Sequence, residues 1–323
     1  MKIENKKLIS KLLQIPSTNV YLFENLKNYT SFKLNNQSCF CLLECNTQQS
    51  LLKALQLLKF NSAFSLSSLT AKKVCKHKIF VLGKGSNVIF DGFFNGFVIK
   101  LGRNFKNIKI VNKHNSVITI QVGAGVNLFI LHNFLKNQGI GGLEWSFGIP
   151  ASVGGAVFMN AGAFGNEFSN FVAEVQVLKN GKFVWINNFE FSYRTSSFQK
   201  SGSIITAVRL KLPLKSTNEV AALQQEYFLK RKNSQPYLEP SAGSVFKRII
   251  KPQEIIYPAK LIDKLSLKGV KIKGAKVSTK HSGFIVNSGG ASSEDVLQLI
   301  DLIKQKVSTA YNITLEPEIK IIK

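Results

Sequence analysis

Two glycine-rich segments have the composition of ligand-cradling loops. The first, VLGKGSNVIFDGFFNGFVIKL (residues 81–101), places Gly83, Lys84, Gly85, Ser86 and Asn87 directly after a short apolar strand. Backbone N–H groups in such a loop can turn inward to face an anion, and the serine and asparagine add side-chain donors. The second, GIPASVGGAVFMNAGAFGNE (148–167), scatters glycines and alanines among aliphatic residues with almost no charge. A backbone of that kind can press closely against a flat or phosphorylated ligand. Either segment alone reads as a structural turn as readily as a site. Two in succession, each after strands, point to a ligand. A third motif, VGAGVNL (122–128), imitates a dinucleotide fingerprint and fails it. Leu128 stands where the third glycine belongs, and no acidic residue closes a second strand about 20 residues on. A tight strand-to-helix turn is the better reading.

Cys39, Cys41, Cys45 and Cys75, with His77 nearby, invite a metal reading. Their spacing lacks the paired C-x2-C of zinc sites, and Cys39 and Cys41 share one face of a strand as small buried hydrophobes do. Reduced structural thiols are expected, with no metal and no disulfide. The charge is extreme: 43 Lys plus Arg against 18 Asp plus Glu give +25 and a pI near 9.9. That is the footprint of a nucleic-acid binder. However, the basic residues are spread along the chain in short groups such as 230–232 and 271–276, without the interleaved aromatics of a stacking platform. A basic site for phosphorylated small molecules fits the charge equally well, and no nucleic-acid partner is expected.

The elements that must position these loops follow from periodicity. With 323 residues, 45% of them hydrophobic, the chain suits about two globular domains of roughly 150 residues each. No apolar run approaches the ~18 to 20 residues that span a bilayer. The segment MKIENKKLISKLLQIPS lacks the continuous apolar core of a secretory signal, so an intracellular protein without a membrane partner is expected. Helical spacing predicts helices over 48–58, 126–137, 216–232, 258–265 and 293–311. Alternation and short apolar runs predict strands over 78–82, 97–101, 107–111, 117–122, 172–178, 182–186 and 203–211, pieces around 272–286, and a last strand from 313. Ser292 or Ser293 caps the helix at 293, with Glu294 and Asp295 in its first turn. A domain boundary is expected near 212–216.

GKGSN with GFFNGFVIKL, GLEWSFGIPASVGGAVFMNAGA (142–163), YRTSSF (193–198), PSAGSVFKR (240–248), STKHSGFIVN (278–287) and LEPEIKII (315–322) together resemble the UDP-N-acetylenolpyruvoylglucosamine reductase (UDP-N-acetylmuramate dehydrogenase) family. The likeness runs in unbroken order from about Thr30 to the C-terminus. The uninterrupted passage from Gln235 to PSAGSVFKR is similar to the shorter subtype, which lacks an inserted substrate-covering segment. The resemblance implies an α+β protein: a two-subdomain FAD-binding fold of the vanillyl-alcohol-oxidase type over 20–212 (subdomains about 20–85 and 86–212), then an α+β substrate-binding domain over 213–323. It also implies reduction of the enolpyruvyl ether of UDP-N-acetylglucosamine to UDP-N-acetylmuramate. FAD would be the cofactor and NADPH the co-substrate, in a cytoplasmic step of peptidoglycan synthesis performed by a monomer.

By the same resemblance, Arg194 matches the arginine that binds the substrate carboxylate, and Ser244 matches the proton donor. Glu318 matches the acid that stabilises the developing anion. A guanidinium fork suits two carboxylate oxygens, a hydroxyl can protonate a carbanion far more basic than itself, and the acid needs burial that keeps it protonated. Glu316 is a rival, since two residues apart on a strand share one face. Each residue also has a plainer reading: Arg194 as a surface ion-pair partner, Ser244 as a turn hydroxyl, Glu318 as a solvated terminal residue. FAD contacts are expected from Gly83 to Asn87 and from Gly148, Ile149, Pro150, Ser152, Val153, Gly154, Gly155, Ala156, Asn160 and Ala161. Substrate contacts are expected from Tyr193, Arg231, Lys232, Lys247, Arg248 and His281, the last also readable as a structural histidine. Two departures stand out. Lys84 replaces the middle glycine of the usual GGGSN, where a positive φ would strain it. Leu34-Asn35-Asn36 follows TSFK where glycines are usual, and Asn tolerates the left-handed conformation better than most residues.

Overall fold

The computed structural model describes residues 3–58 and 77–323, so Cys75 lies outside the described residues. By contact the described residues form two compact units, one drawn from 3–22, 41–58, 77–83 and 96–228, the other from 23–40, 84–95 and 229–323. This division does not follow the borders near 86 and 213. Phe32, Leu34 and Ile89 belong to the core of the C-terminal unit, which draws their segments away from their sequence neighbours.

In the first unit, helix α1 (Ile3–Leu13) precedes β1 (Thr18–Leu22), which pairs antiparallel with β2 (Ser38–Cys45). Helix α2 (Gln48–Leu57) follows. Strand β3 (Lys78–Val81) lies parallel to β5 (Phe93–Leu101), and the four strands are ordered β1-β2-β5-β3. β2 is buried along nearly its whole length, which explains why SCFCLLEC is apolar at successive positions and not only at alternate ones. Its Cys39, Cys41 and Cys45 are buried thiols, and burial together with the Glu44 charge pushes Cys45 up to about 12. Such thiols pack as small hydrophobes. Among the described residues no three His, Cys, Asp or Glu side chains are grouped to hold a metal ion.

The glycine-rich segment 148–167 rests on a second, antiparallel sheet. Strands β6 (Ile108–His114), β7 (Val117–Gly123), β10 (Val172–Lys179), β11 (Lys182–Ile186) and β14 (Ile204–Pro213) pair in the order β11-β10-β14-β7-β6. Ile118, Ile120 and Val122 of β7 point into the core, as the alternation of VITIQV requires. There they meet Leu128, Leu131 and Leu135 of α3 (Leu128–Asn137) and Val153, Ala156 and Val157 of α4 (Val153–Phe158). VGAGVNL is indeed a turn: Val126 N donates to Gly123 O, and the Asn127 side chain caps α3. Gly154 N donates to Ala124 O, and a Cβ on Gly154 would lie 2.7 Å from the Ala124 Cβ, so α4 seats on this turn. Beyond α4 come the hairpins β8 (Gly162–Ala163) with β9 (Asn166–Glu167) and β12 (Phe191–Ser192) with β13 (Thr195–Ser196), then the short α5 (Phe198–Ser201).

Helix α6 (Thr217–Ser234) carries residues of both units. In the second unit, β15 (Ser241–Ser244), β18 (Lys271–Ile272), β19 (Ala275–Val277) and β20 (Phe284–Asn287) form a sheet ordered β15-β20-β19-β18. It packs with α7 (Pro258–Lys264) and α8 (Ser293–Tyr311), and the hairpin β16 (Ile249–Lys251) with β17 (Glu254–Ile256) stands beside it. Ser292 and Asp295 form a reciprocal capping box at the start of α8, and Asn312 ends the helix at φ 52°. β4 (Val88–Phe90), directly after GKGSN, pairs in parallel with β21 (Lys320–Ile322). The last strand therefore begins at 320, not 313. Residues 313–319 make only an isolated bridge, Phe246 with Pro317, and Glu318 precedes the strand expected to carry it.

Candidate active site

In the first unit the two glycine-rich segments meet. A Cβ on Gly83 would collide with Ser152 Oγ, so a larger residue after β3 would displace the hydroxyl that caps α4. Ser152 is the cap of α4 and its Oγ accepts from Gly155 N at 3.3 Å, while Lys100 Nζ donates to Gly83 O at 3.0 Å. Gly148 turns the chain at φ 85°, and Ala161 N closes onto Ala156 O. From Lys84 onward GKGSN belongs to the second unit, and there the left-handed residue is Gly85 at φ 63°, not Lys84. The strain expected at Lys84 is therefore absent, and its side chain is exposed. A Cβ at Gly85 would strike Tyr29 O and lie 2.7 Å from Thr30 Cα. Asn36 adopts φ 56°, a conformation its amide tolerates, and accepts from Ser293 N.

The loop fits a phosphate-bearing group. Among the described residues, the backbone N–H groups of Gly83 to Asn87 donate to no protein acceptor. The buried Thr30 Oγ1 behind Gly85 has no hydrogen-bond partner either. A buried hydroxyl without a partner is unusual in a native fold, and it and the open N–H groups of the loop suit the oxygens of a bound anion.

Arg194 is the second of the two residues that link β12 to β13. Its φ is 54°, a position where glycine is at ease and an arginine costs about 1–2 kcal/mol. Its Nη2 donates to Gly162 O at 2.8 Å and its Nη1 to Asn160 O at 3.5 Å. The guanidinium lies 5.2 Å from the Tyr193 ring centre. Asn160, expected as a flavin contact, is fully buried and joins protein to protein: its Nδ2 donates to Ser192 O and its Oδ1 accepts from Ser169 N.

In the second unit, Ser244 and Glu318 are brought close by main chain. Ser244 ends β15 opposite Phe284, on a strand, where the plainer reading made it a turn hydroxyl. Glu318 N donates to Val245 O at 2.7 Å and Lys247 N to Glu316 O at 2.9 Å, so 316–318 runs beside 245–247. The rival carboxylates then differ. Glu316 is 70% exposed and ion-paired with Lys247, whereas Glu318 is half-buried, a more partial enclosure than expected. Asn87 Nδ2 donates to Glu318 O at 3.2 Å and Asn87 O accepts from Lys320 N, which fixes the end of GKGSN to this segment.

Residues 235–322 match the C-terminal domain of UDP-N-acetylenolpyruvoylglucosamine reductase, and residues 68–187 match an FAD binding domain. The UDP-N-acetylenolpyruvoylglucosamine reductase of Thermotoga maritima is 36% identical over 303 residues, covering 93% of this chain and 98% of that one. The chain belongs to the UDP-N-acetylenolpyruvoylglucosamine reductase family. The Bacillus subtilis member is 40% identical over 248 residues, 75% of this chain and 78% of that protein. The solved reductase of Thermus caldophilus superposes with a TM-score of 0.74 at 30% identity, over 95% of this chain and 99% of that one. The fold is thus the expected α+β type, an FAD-binding part joined to the family's C-terminal domain.

The expected substrate contacts fall into different settings. Arg231 is buried, its Nη1 donates to Gln235 Oε1, and burial lowers its pKa to about 10. Lys232 is exposed and its carbonyl accepts from Lys280 Nζ at 2.5 Å. Arg248 and Tyr193 are half-buried, and Lys247 is engaged by Glu316. His281 is below its ordinary pKa chiefly through burial, and its Nδ1 accepts from Gly283 N, the arrangement of a structural turn. Sequence reasoning missed Gln199 and Thr30. No motif marks Gln199, and nothing local shows that Thr30 stands behind Gly85. No helix of the described residues is long and apolar enough to cross a membrane.

Proposed function

We infer that this chain is an oxidoreductase that reduces UDP-N-acetyl-3-O-(1-carboxyvinyl)-glucosamine to UDP-N-acetylmuramate, with FAD as cofactor and NADPH as co-substrate, in peptidoglycan precursor synthesis. The observation that carries it is family membership at 36% identity across nearly the full length of both chains. Bound FAD would supply the hydride chemistry that links NADPH to the enolpyruvyl double bond. The unbonded N–H groups of Gly83 to Asn87 would hold its pyrophosphate, and the close-packed backbone of Gly148 to Ala161 would lie along it.

The remaining chemistry falls to side chains. Arg194 offers its planar fork to the substrate carboxylate and opposes the charge that grows there as the double bond is lost. Ser244 Oγ gives its proton to the carbon alpha to that carboxylate. Glu318 acts as the acid that serves the anion before that transfer. Arg231, Lys232, Lys247, Arg248, Tyr193 and His281 supply the UDP end, with Lys247 first releasing Glu316. We assign the enzyme to the cytoplasm, as a monomer. The test is NADPH oxidation by the FAD-loaded protein with and without the enolpyruvyl substrate. Turnover that requires the substrate supports the reading. A colourless protein that takes up no FAD, or oxidation driven by oxygen alone, would sink it.

A further inference from the structure

The strained backbone at Arg194 has a specific restraint. Gln199, in the single turn of α5, points its Nε2 at two carbonyls, Arg194 O at 3.0 Å and Phe158 O at 2.9 Å. Only the amide nitrogen can serve two carbonyl acceptors, which fixes the orientation of the side chain. Phe158 ends α4, and its carbonyl is one of those a helix terminus leaves without an intrahelical partner. Ser196 Oγ shares it at 2.7 Å. The peptide after Arg194 is therefore tied to Phe158, and the guanidinium is tied to Asn160 and Gly162. Both ends of one arginine are fastened to a single five-residue stretch at the exit of α4. The other end of α4 is the Ser152 cap that fills the space beside Gly83.

We propose that Gln199 is a positioning residue: it holds Arg194 in its left-handed conformation and so sets the guanidinium relative to the glycine-rich segment. This rests on the reading of Arg194 as the group that binds the substrate carboxylate. A residue that only stabilises the fold would weaken every ligand alike. A residue that aims Arg194 weakens only ligands with the carboxylate.

The experiment uses the FAD-loaded enzyme with Gln199→Ala and, in case that variant folds poorly, Gln199→Met, which keeps the bulk and removes the donor. Calorimetry measures affinity for the enolpyruvyl substrate without NADPH, and for UDP-N-acetylglucosamine, which has no carboxylate. The expected result is about tenfold weaker binding of the enolpyruvyl ligand, the size of one lost charge-assisted contact, with UDP-N-acetylglucosamine changed less than about twofold. In an Arg194→Ala background the same Gln199 change should add almost nothing, because its effect runs through Arg194. Equal weakening of both ligands, unchanged binding of both, or an undiminished Gln199 effect without Arg194, overturns the proposal. If Arg194→Ala itself leaves enolpyruvyl affinity intact, the role given to Arg194 fails, and that outcome is distinct from failure of Gln199 to act through it.

Discussion

Arg194 and Glu318 are held by opposite means. Arg194 occupies a backbone conformation that its own chemistry disfavours, and side chains keep it there, chiefly Gln199 and Asn160 acting on carbonyls. Glu318 and its neighbour Ser244 are placed by main-chain bonds around the Phe246–Pro317 bridge, where Glu318 N and Lys247 N do the pairing and the missing N–H of Pro317 is not needed. A side-chain network can be dismantled one group at a time. A main-chain register gives way only as a whole. Activity near Arg194 should therefore answer to residues that never touch substrate, while activity near Ser244 and Glu318 should answer only to those groups themselves.

The largest effect is expected at Ser244, where the comparison forecasts a clean separation of chemistry from fold. Ser244→Ala deletes a hydroxyl from the end of β15 and leaves the Glu318 N to Val245 O bond intact, so folding should survive. Reduction of flavin by NADPH needs no carbon protonated and should keep its rate. Reoxidation by the enolpyruvyl substrate should slow by about 10² to 10⁴-fold, the usual worth of a positioned proton donor. Stopped-flow flavin absorbance separates the two half-reactions. Equal slowing of both would make Ser244 structural, and slowing of neither would place the proton source elsewhere.

Arg194→Ala comes next, with reoxidation slowed by about 10² to 10³-fold and FAD retained. Arg194→Gly sharpens it. Glycine accepts φ 54° without strain, so the Gly variant should melt no lower than the Ala variant while being as inactive. A Gly variant that melts well below the Ala variant would mean the left-handed backbone is not what the network opposes.

Much of this was legible from residues alone. The capped start of α8 follows from Ser292 or Ser293 with Glu294 and Asp295 in the first turn, and Cys39 and Cys41 are the buried thiols their strand setting implies. What could not be read shares one cause, contact between residues distant in sequence. Gln199 matters through Phe158, 41 positions earlier, and Asn87 through Glu318, 231 positions later. The left-handed residue of GKGSN proved to be Gly85 because Tyr29 and Thr30 crowd it, a fact no local pattern carries. The last strand was drawn too long for the same reason: the partner of 313–319 is the distant segment 245–247, which meets it only around the Phe246–Pro317 bridge.

A smaller, structural effect belongs to Asn160. Its amide joins Ser192 to Ser169 at full burial, and Asn160→Ala leaves Ser169 N and Ser192 O without those partners. The cost should be roughly 2–4 kcal/mol from two lost bonds at a buried site, read as a lower melting temperature. The weakened hairpin should also slow reoxidation more than reduction by NADPH. A variant that melts normally would show that the hairpin does not depend on it.

The smallest effect is expected at Glu316, and it tests the side of the comparison held by main chain. Glu316 and Glu318 flank Pro317, and spacing alone cannot choose between them. Glu316 is 70% exposed and its pair with Lys247 is a surface ion pair, worth at most about 1 kcal/mol after screening. Its carbonyl, not its carboxylate, holds the register by accepting from Lys247 N. Glu316→Gln should therefore shift the melting temperature by no more than about 3 °C and leave reoxidation within about twofold. Glu318→Gln keeps the same main-chain bonds and should slow reoxidation by about 10²-fold or more, since an amide cannot act as the acid. Measured side by side in the reoxidation half-reaction, the two variants decide the matter. If Glu316→Gln is the slower, the two carboxylates exchange roles and partial burial was the wrong guide; if both are fast, neither carboxylate serves the developing anion.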